Sequence, residues 1–167
     1  MKYKLVAFWL IVFGALFAFL QMCFEYHFYY IEQSQLFLFS EAYIRNKLLL
    51  PGGFSMLVAE FLVQFFIRPY VGALVTAALL TGVGVCTAGI VKRIAPVSGL
   101  FILYVLPMLA LLFMHFDFNY RVQGTVCYLM MMALLCGYMR IRNDLFRLVA
   151  GCVLVPVSYT HLTLPTS

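Results

Sequence analysis

Long apolar runs separated by short charged segments are the main feature of this chain. A helix needs about 20 apolar residues to cross the roughly 30 Å hydrocarbon core of a bilayer. Four runs approach or reach that length, at residues 5–23, 70–91, 97–114 and 124–139. A fifth run begins near Leu145 and is broken off at residue 156. The pattern predicts an all-α polytopic membrane helix bundle with four spans and a truncated fifth.

Small residues recur at helical spacing in the second run. They form two rows with four-residue steps, Ala73, Ala77 and Thr81 in one row and Ala78, Gly82 and Cys86 in the other. Small side chains at this spacing let helices approach closely in lipid. We therefore expect this span to pack tightly against its neighbours.

The 46 residues between the first two spans, 24–69, are too apolar for a solvated loop and too polar to cross a membrane. Three tyrosines lie just beyond the first span, where amphipathic rings prefer the headgroup level: Tyr26, Tyr29 and Tyr30. A Pro-Gly-Gly sequence at 51–53 indicates a turn in the middle of the segment. We expect interfacial helices on either side of this turn.

The part after the turn, residues 54–67, reads as an amphipathic helix. Its polar positions Glu60, Gln64 and Arg68 fall on one stripe. Such a helix lies in the membrane interface or folds against the bundle. A break near Arg68 and Pro69 is required, because one straight helix from residue 54 through the second span would be about 57 Å long.

Composition narrows the function classes. Of the 167 residues, 65% are hydrophobic and 10% charged, with a mean hydropathy of +1.02. A soluble domain is about half apolar and a quarter charged. The composition therefore excludes a soluble enzyme domain, a nucleic-acid-binding module and a disordered chain. The five cysteines form no CxxC pair and no Cys/His cluster with metal spacing, so neither a disulfide nor a zinc site is predicted.

The net charge of +5 is explained by topology. If the N-terminus is cytoplasmic, seven cations fall on the inner side: Lys2, Lys4, Lys92, Arg93, Arg140, Arg142 and Arg147. Four fall on the outer side: Arg45, Lys47, Arg68 and Arg121. An excess of cations in short inner segments is the positive-inside pattern. We therefore expect a bacterial inner-membrane protein with a cytoplasmic N-terminus.

Acidic side chains of the outer segments are the candidate catalytic residues. Glu25 and Glu32 lie in the first outer segment, and Asp117 follows His115 in the second. Ionisable groups at membrane depth are costly and tend to mark function, so each could act as a base or bind a cation. The alternatives are solvation at the headgroup level for the two glutamates and a tight turn with Asn119 for Asp117.

Further polar residues are predicted to face an outer cavity together with the two glutamates: His27, Gln33, Gln35 and Glu60. Glu25 and Glu32 lie two helical turns apart, about 10.5 Å along the axis. That separation is too large for both carboxylates to hold one metal ion. No metal site is therefore predicted, and the sequence leaves any cofactor open.

The last eleven residues, 157–167, have a separate character. Ten of them in a row, beginning at Val157, match the one-frame translation of a transposase adapter used in sequencing libraries. We therefore expect 157–167 to be an artefactual tail. Residues 1–156 are then the N-terminal part of a longer multi-span membrane domain.

The sequence YHFYYIEQSQLFLF at 26–39, with the Pro-Gly-Gly turn at 51–53, resembles a family of bacterial polytopic membrane proteins of unknown function. The resemblance covers residues 5–91 and implies a longer, multi-span chain without implying an activity. A looser likeness is to multi-span glycosyltransferases that use lipid-linked sugar donors. That likeness implies a catalytic role for Glu25 or Glu32 in the outer segment, although the usual pair of acidic residues is absent.

Together these features favour an integral membrane protein of unknown biochemical activity that forms part of an envelope assembly or acts as a scaffold. One alternative is a glycosyltransferase-like enzyme, and another is a transporter component. A transporter is expected to have charged groups inside its spans. The expected partners are the lipid bilayer, other membrane helices and, for the enzyme, a lipid-linked substrate. Nucleic acid is not expected as a partner.

Overall fold

The computed structural model describes residues 2–34, 37–50, 52–94, 101–117 and 119–141, and this part of the chain is all-helical. Within it, six α-helices and one 3₁₀ helix follow one another along the chain. They are α1 (Lys2–Ser34), α2 (Glu41–Leu48), α3 (Gly53–Val63), the 3₁₀ helix (Gln64–Ile67), α4 (Val71–Ile94), α5 (Phe101–Met114) and α6 (Val122–Tyr138). The predicted all-α fold class is confirmed.

The longest helix, α1, has 33 residues and is divided by non-helical backbone at Phe24 (φ −128°, ψ 18°). We call residues 2–23 its first segment and 25–34 its second segment. At 1.5 Å per residue the helix is about 50 Å long, well beyond the thickness of a bilayer core. The predicted span 5–23 therefore ends at a kink, beyond which the chain continues as helix.

A hairpin formed by the polar helix α2 and the apolar helix α3 follows α1. The hydroxyl of Ser40 caps α2 by accepting a hydrogen bond from the Tyr43 backbone N–H at 3.2 Å. The turn before α3 needs glycine twice. Gly52 has a left-handed φ of 73°, and a Cβ at Gly53 would collide with the carbonyl of Lys47. The predicted glycine turn is confirmed at both positions.

The predicted break before the second span is also confirmed. The 3₁₀ helix ends at Ile67, Arg68 is extended (ψ 134°), and Tyr70 has a left-handed φ of 69° before α4 begins at Val71. Pro69 lies in the middle of this turn.

Helix α4 is the centre of the bundle and packs against α1, α5 and α6. An added Cβ at Gly72 would lie 2.7 Å from the Phe28 ring, and one at Gly84 would lie 2.6 Å from the Trp9 ring. The start of α4 at Gly72 therefore meets the far part of α1 at Phe28, and the later position Gly84 meets the early position Trp9. The two helices are antiparallel. Ala73 and Ala77 of the first row are fully buried, which confirms the predicted tight packing there, whereas Thr81 is only partly buried.

The directions of α5 and α6 follow from other contacts with α4. A Cβ at Gly82 would lie 3.2 Å from Leu129, and one at Gly89 would lie 3.4 Å from Cys136, so α6 runs parallel to α4. Tyr104 of α5 lies beneath the Lys92 ammonium near the C-terminus of α4, with 5.7 Å from Nζ to the ring centroid. Met108, which follows Tyr104 on α5, packs near Gly84, which precedes Lys92 on α4. Helix α5 is therefore antiparallel to α4.

Helix α3 folds against the bundle, which is one of the two arrangements expected for residues 54–67. It contacts α6 and buries one face: Gly53, Ser55, Met56, Ala59 and Val63. The opposite face includes Phe54 and Phe61, which remain exposed.

Two described helices, α1 and α4, are long and apolar enough to cross a membrane, by length and composition. Helices α5 and α6, with 14 and 17 residues, are apolar but shorter. The four-span arrangement therefore stays a prediction. The fifth run from Leu145 and the tail at 157–167 lie outside the described residues.

Candidate functional site

The helix directions divide the charged residues between two ends of the bundle. The N-terminus of α1 and the C-termini of α4 and α6 lie at one end, which we call the basic end: Lys4, Lys92, Arg93 and Arg140. Arg93 Nη1 donates a hydrogen bond to the Met139 carbonyl and joins α4 to α6 there. The opposite end, called the loop end, holds the second segment of α1, the α2–α3 hairpin and residues 115–121.

All the described acidic residues lie at the loop end: Glu25, Glu32, Glu41, Glu60 and Asp117. The three candidate catalytic acids are therefore at the same end of the molecule. They do not share one set of neighbours, however, and each is described separately below.

Glu25 lies on the second segment of α1 and lines a small pit against the start of α4. Arg68 and Tyr70 line the same pit, whose volume is about 10 Å³. A cavity of that size has room for about one water molecule. Glu25 and Arg68 line the same pit, but the pit is too small to hold a sugar or a lipid headgroup.

Glu32 and Asp117 have different surroundings from Glu25. Glu32 is half-buried and lies two turns beyond Glu25 on the same segment of α1. Asp117 is exposed, and its Oδ1 accepts a hydrogen bond from the Asn119 backbone N–H at 2.9 Å. That bond is the one expected from a turn-forming aspartate. Asp117 thus fits the turn interpretation.

The most buried ionisable group near these acids is His115, with 2% of its surface exposed. Its Nδ1 lies 2.9 Å from the Leu111 carbonyl. A carbonyl oxygen only accepts, so Nδ1 carries the proton and Nε2 is the basic nitrogen. That Nε2 is buried and has no hydrogen-bond partner in the described part of the chain. Burial, reinforced by the nearby charge of His27, lowers the pKa of His115 despite the hydrogen bond to Leu111.

Aromatic rings surround this histidine and the kink of α1. Tyr120 packs on His115 with 4.9 Å between ring centroids, and its hydroxyl lies 3.1 Å from Thr125 Oγ1. Phe24, at the kink, stacks on Phe116 at 5.1 Å with the two rings nearly parallel. The kink of α1 is therefore packed against the turn between α5 and α6.

His27 is buried on the side of α1 that faces this turn. Its ring contacts Phe24 at 6.0 Å between centroids, and the charge of Asp117 acts on it. Because His27 and Glu25 are two residues apart on a helix, they point to nearly opposite sides. The predicted grouping of both in one outer cavity is thus not the arrangement observed. The structure instead brings His27, His115 and Asp117 near one another.

Glu60 is engaged in the α2–α3 hairpin. Lys47 Nζ lies 2.7 Å from Glu60 Oε1, and the Tyr43 hydroxyl donates a hydrogen bond to Glu60 Oε2. Burial and the bond to this carboxylate raise the pKa of Tyr43 above its usual value near 10. Gln64 Nε2 donates to the Phe37 carbonyl at 2.9 Å and ties the end of α3 to the chain before α2.

In the described ranges, no three His, Cys, Asp or Glu side chains come close enough together to hold a metal ion. The loop end can therefore offer a neutral buried imidazole and separate carboxylates. Sequence reasoning named His115 and His27, but it did not place them together. Their position at the ends of apolar runs was the available signal, and their proximity depends on the kink at Phe24.

Comparison with curated proteins and with solved structures found no match. A family model matches residues 1–163, and its description is "Family of unknown function (DUF6057)". The match ends inside the segment 157–167, whose origin in an adapter stays a prediction. Since the match covers nearly the whole chain, this protein belongs to that family of unknown function, DUF6057.

Proposed function

We propose that the chain is an integral membrane protein whose described helices form the membrane-embedded core of an envelope assembly. The observation that carries this proposal is the apolar outer surface of the bundle. Ile11 on α1 and Ile102 on α5 are 70% and 74% exposed, and Phe113 is 67% exposed. A soluble monomer rarely exposes large contiguous apolar surface, whereas in a bilayer such faces contact lipid.

The interior of the bundle supports the same proposal. Lipid tails are as apolar as leucine, so helices in a membrane associate through close packing of small residues. Ala73 and Ala77 are buried at the centre of the bundle, and Gly72 and Gly84 contact aromatic rings of α1. Residues 5–23 of α1 and the whole of α5 carry no charged residue.

The two ends indicate the orientation. The sequence assigns seven cations to the side of the basic end and four to the side of the loop end, which carries all the described acids. We infer that the basic end is cytoplasmic, because cytoplasmic segments are enriched in lysine and arginine. The loop end then faces the outer side of a bacterial inner membrane.

Labelling of single cysteines tests both the insertion and the orientation. Glu41→Cys and Arg121→Cys mark the loop end, and Arg140→Cys marks the basic end, each in a chain whose native cysteines are replaced by serine. We expect a membrane-impermeant maleimide to label the first two variants in intact spheroplasts. The third should react only after permeabilisation. Labelling of all three without permeabilisation, or extraction of the chain by alkaline carbonate, would overturn the proposal.

The transferase and transporter alternatives stay predictions. The matched test for the transferase is Glu32→Gln beside Glu41→Gln, with sugar transfer and membrane insertion measured in both. Full retention of transfer in Glu32→Gln would remove that alternative.

A further inference from the structure

A groove of about 950 Å³ lies between the first segment of α1, α4 and α6. Its walls are mainly apolar, and its floor includes the second row of small residues on α4: Ala78, Gly82 and Cys86. Trp9, the only tryptophan of the chain, lines the wall formed by α1. The volume falls in the upper part of the range of roughly 300–1,000 Å³ for ligand sites.

The charged residues of the groove are all at the basic end. Lys92 on α4 and Arg140 on α6 line it there, and none of the described acids lines it anywhere. In the described part of the chain, neither cation forms an ion pair with a carboxylate. The groove is thus mainly apolar and has two cations, Lys92 and Arg140, at the end that we call its mouth.

We propose that this groove binds one anionic phospholipid, with its phosphate between Lys92 and Arg140 and an acyl chain along the groove toward Trp9. This inference rests on the proposed membrane location. The phosphate supplies the countercharge that the described part of the protein does not provide, and basic pockets between membrane helices on the cytoplasmic side bind such headgroups.

The length of the groove fits an acyl chain. From Ala78 to Lys92 it follows α4 for 14 residues, or about 21 Å. Half of a bilayer core is about 15 Å thick, so an acyl chain that starts at the cationic mouth can extend through its own leaflet inside the groove.

Charge also disfavours a second copy of the chain as the occupant. A copy inserted in the same orientation would bring its own basic end to the same level and place like charges together. An anionic lipid instead places a negative charge there.

Quenching of Trp9 fluorescence by brominated lipids tests this inference directly. The chain is reconstituted into vesicles that contain dibrominated phosphatidylglycerol or dibrominated phosphatidylcholine at equal mole fraction. We expect brominated phosphatidylglycerol to bind near Trp9, as measured by quenching, at least about fivefold more strongly than brominated phosphatidylcholine. A factor of about five is what one cation contributes to the binding of an anionic headgroup. Lys92→Gln combined with Arg140→Gln should abolish the preference, whereas Arg45→Gln combined with Arg121→Gln, at the loop end, should leave it intact.

A second pair of variants tests whether the groove itself holds the acyl chain. Gly137 lines the groove, and a Cβ there meets nothing within 4 Å. Gly14 on α1 is equally open but does not line the groove. We expect Gly137→Leu to fill the groove and reduce quenching by the anionic lipid at least threefold, and Gly14→Leu to leave quenching unchanged.

The outcomes separate failure of this inference from failure of the proposed membrane location. Equal quenching by the two lipids, or a preference that survives loss of both cations or filling at Gly137, would overturn the lipid site alone. No quenching by either lipid in a chain that resists carbonate extraction would show that residues beyond 141 or a second copy fill the groove, which also overturns it. No quenching in a chain that carbonate extracts would overturn the membrane location as well.

Discussion

The interior of the bundle and its loop end are held together by different kinds of contact. Where α1 meets α4, Gly84 packs against Trp9, and stability depends on the fit of small residues against rings. At the loop end, Tyr43 and Lys47 both bind the Glu60 carboxylate. The difference indicates that hydrogen bonds and ion pairs between side chains stabilise the region near water. Close packing of small residues against rings stabilises the apolar interior.

The largest expected effect comes from filling the closest approach of α1 and α4. Gly84→Leu puts atoms where the Trp9 ring lies 2.6 Å from a Cβ, and a packed indole cannot move aside easily. We expect a loss of about 3 kcal/mol in the free energy of unfolding. Unfolding by sodium dodecyl sulfate in mixed micelles measures it, with Gly14→Leu as the control in open space. Equal unfolding midpoints for the two variants would contradict shape-dependent packing.

A smaller and more local effect is expected at the loop end. Glu60→Gln removes the charge that pairs with Lys47 while keeping an acceptor for Tyr43. We expect about 1 kcal/mol of destabilisation, confined to the hairpin. Hydrogen exchange of the α2 amides should become about fivefold faster, with α4 unchanged. Glu41→Gln, at an exposed acid of α2, is the control, and equal exchange in both variants would contradict the role of Glu60 on α3.

The loop end should also respond to acid. Because the pKa of His115 is lowered by burial, its protonation favours the unfolded chain. Stability from the neutral ring is fully present above the usual pKa of 6.5, and it is lost as the pH falls from there toward the folded-state pKa. Unfolding midpoints at pH 7.5 and 5.0 should differ less in His115→Phe than in the parent chain. An unchanged difference in that variant would assign the acid response to other groups of the chain and contradict the role of His115.

The smallest effect on stability is expected from a cross-link between α4 and α6. Gly89→Cys places a Cβ 3.4 Å from the Cys136 sulfur if the two helices are parallel. Mild oxidation should join the two cysteines, and mass spectrometry of the linked peptides detects the bond. Gly14→Cys, with open space around it, should give no such product. Absence of the link in Gly89→Cys would contradict the parallel arrangement.

Hydropathy located the helices well but did not reveal how they continue past the apolar runs. The predicted span 70–91 corresponds to α4 (Val71–Ile94), and 124–139 corresponds to α6 (Val122–Tyr138). The run 5–23 ends where the polarity changes, yet α1 continues to Ser34. Non-helical backbone at Phe24 falls directly after the end of this run, and a second helical segment begins beyond it, which hydropathy alone does not show.

The candidate site was predicted less completely than the helices. Asp117 behaves as the turn residue that its neighbours suggested, since it accepts the Asn119 N–H. Glu60, in contrast, was assigned to an outer cavity and is bound by Tyr43 and Lys47 from α2. Tyr43 and Lys47 precede Glu60 by 17 and 13 residues, and they reach it only because the turn at Gly52 folds α3 back on α2. The spacing of residues within a single helix does not predict such contacts.

The sequence by itself determined that this protein is helical, where its apolar segments lie, where the glycine turn falls and how the cations divide between segments. These properties depend on local periodicity and composition, which follow directly from the order of the side chains along a segment. The tertiary structure decided that α3 folds against α6, that His27 lies near His115, and that α1, α4 and α6 leave a groove with Lys92 and Arg140 at its mouth. Such features depend on which helix faces meet, and that choice is made by the packing of all the helices together.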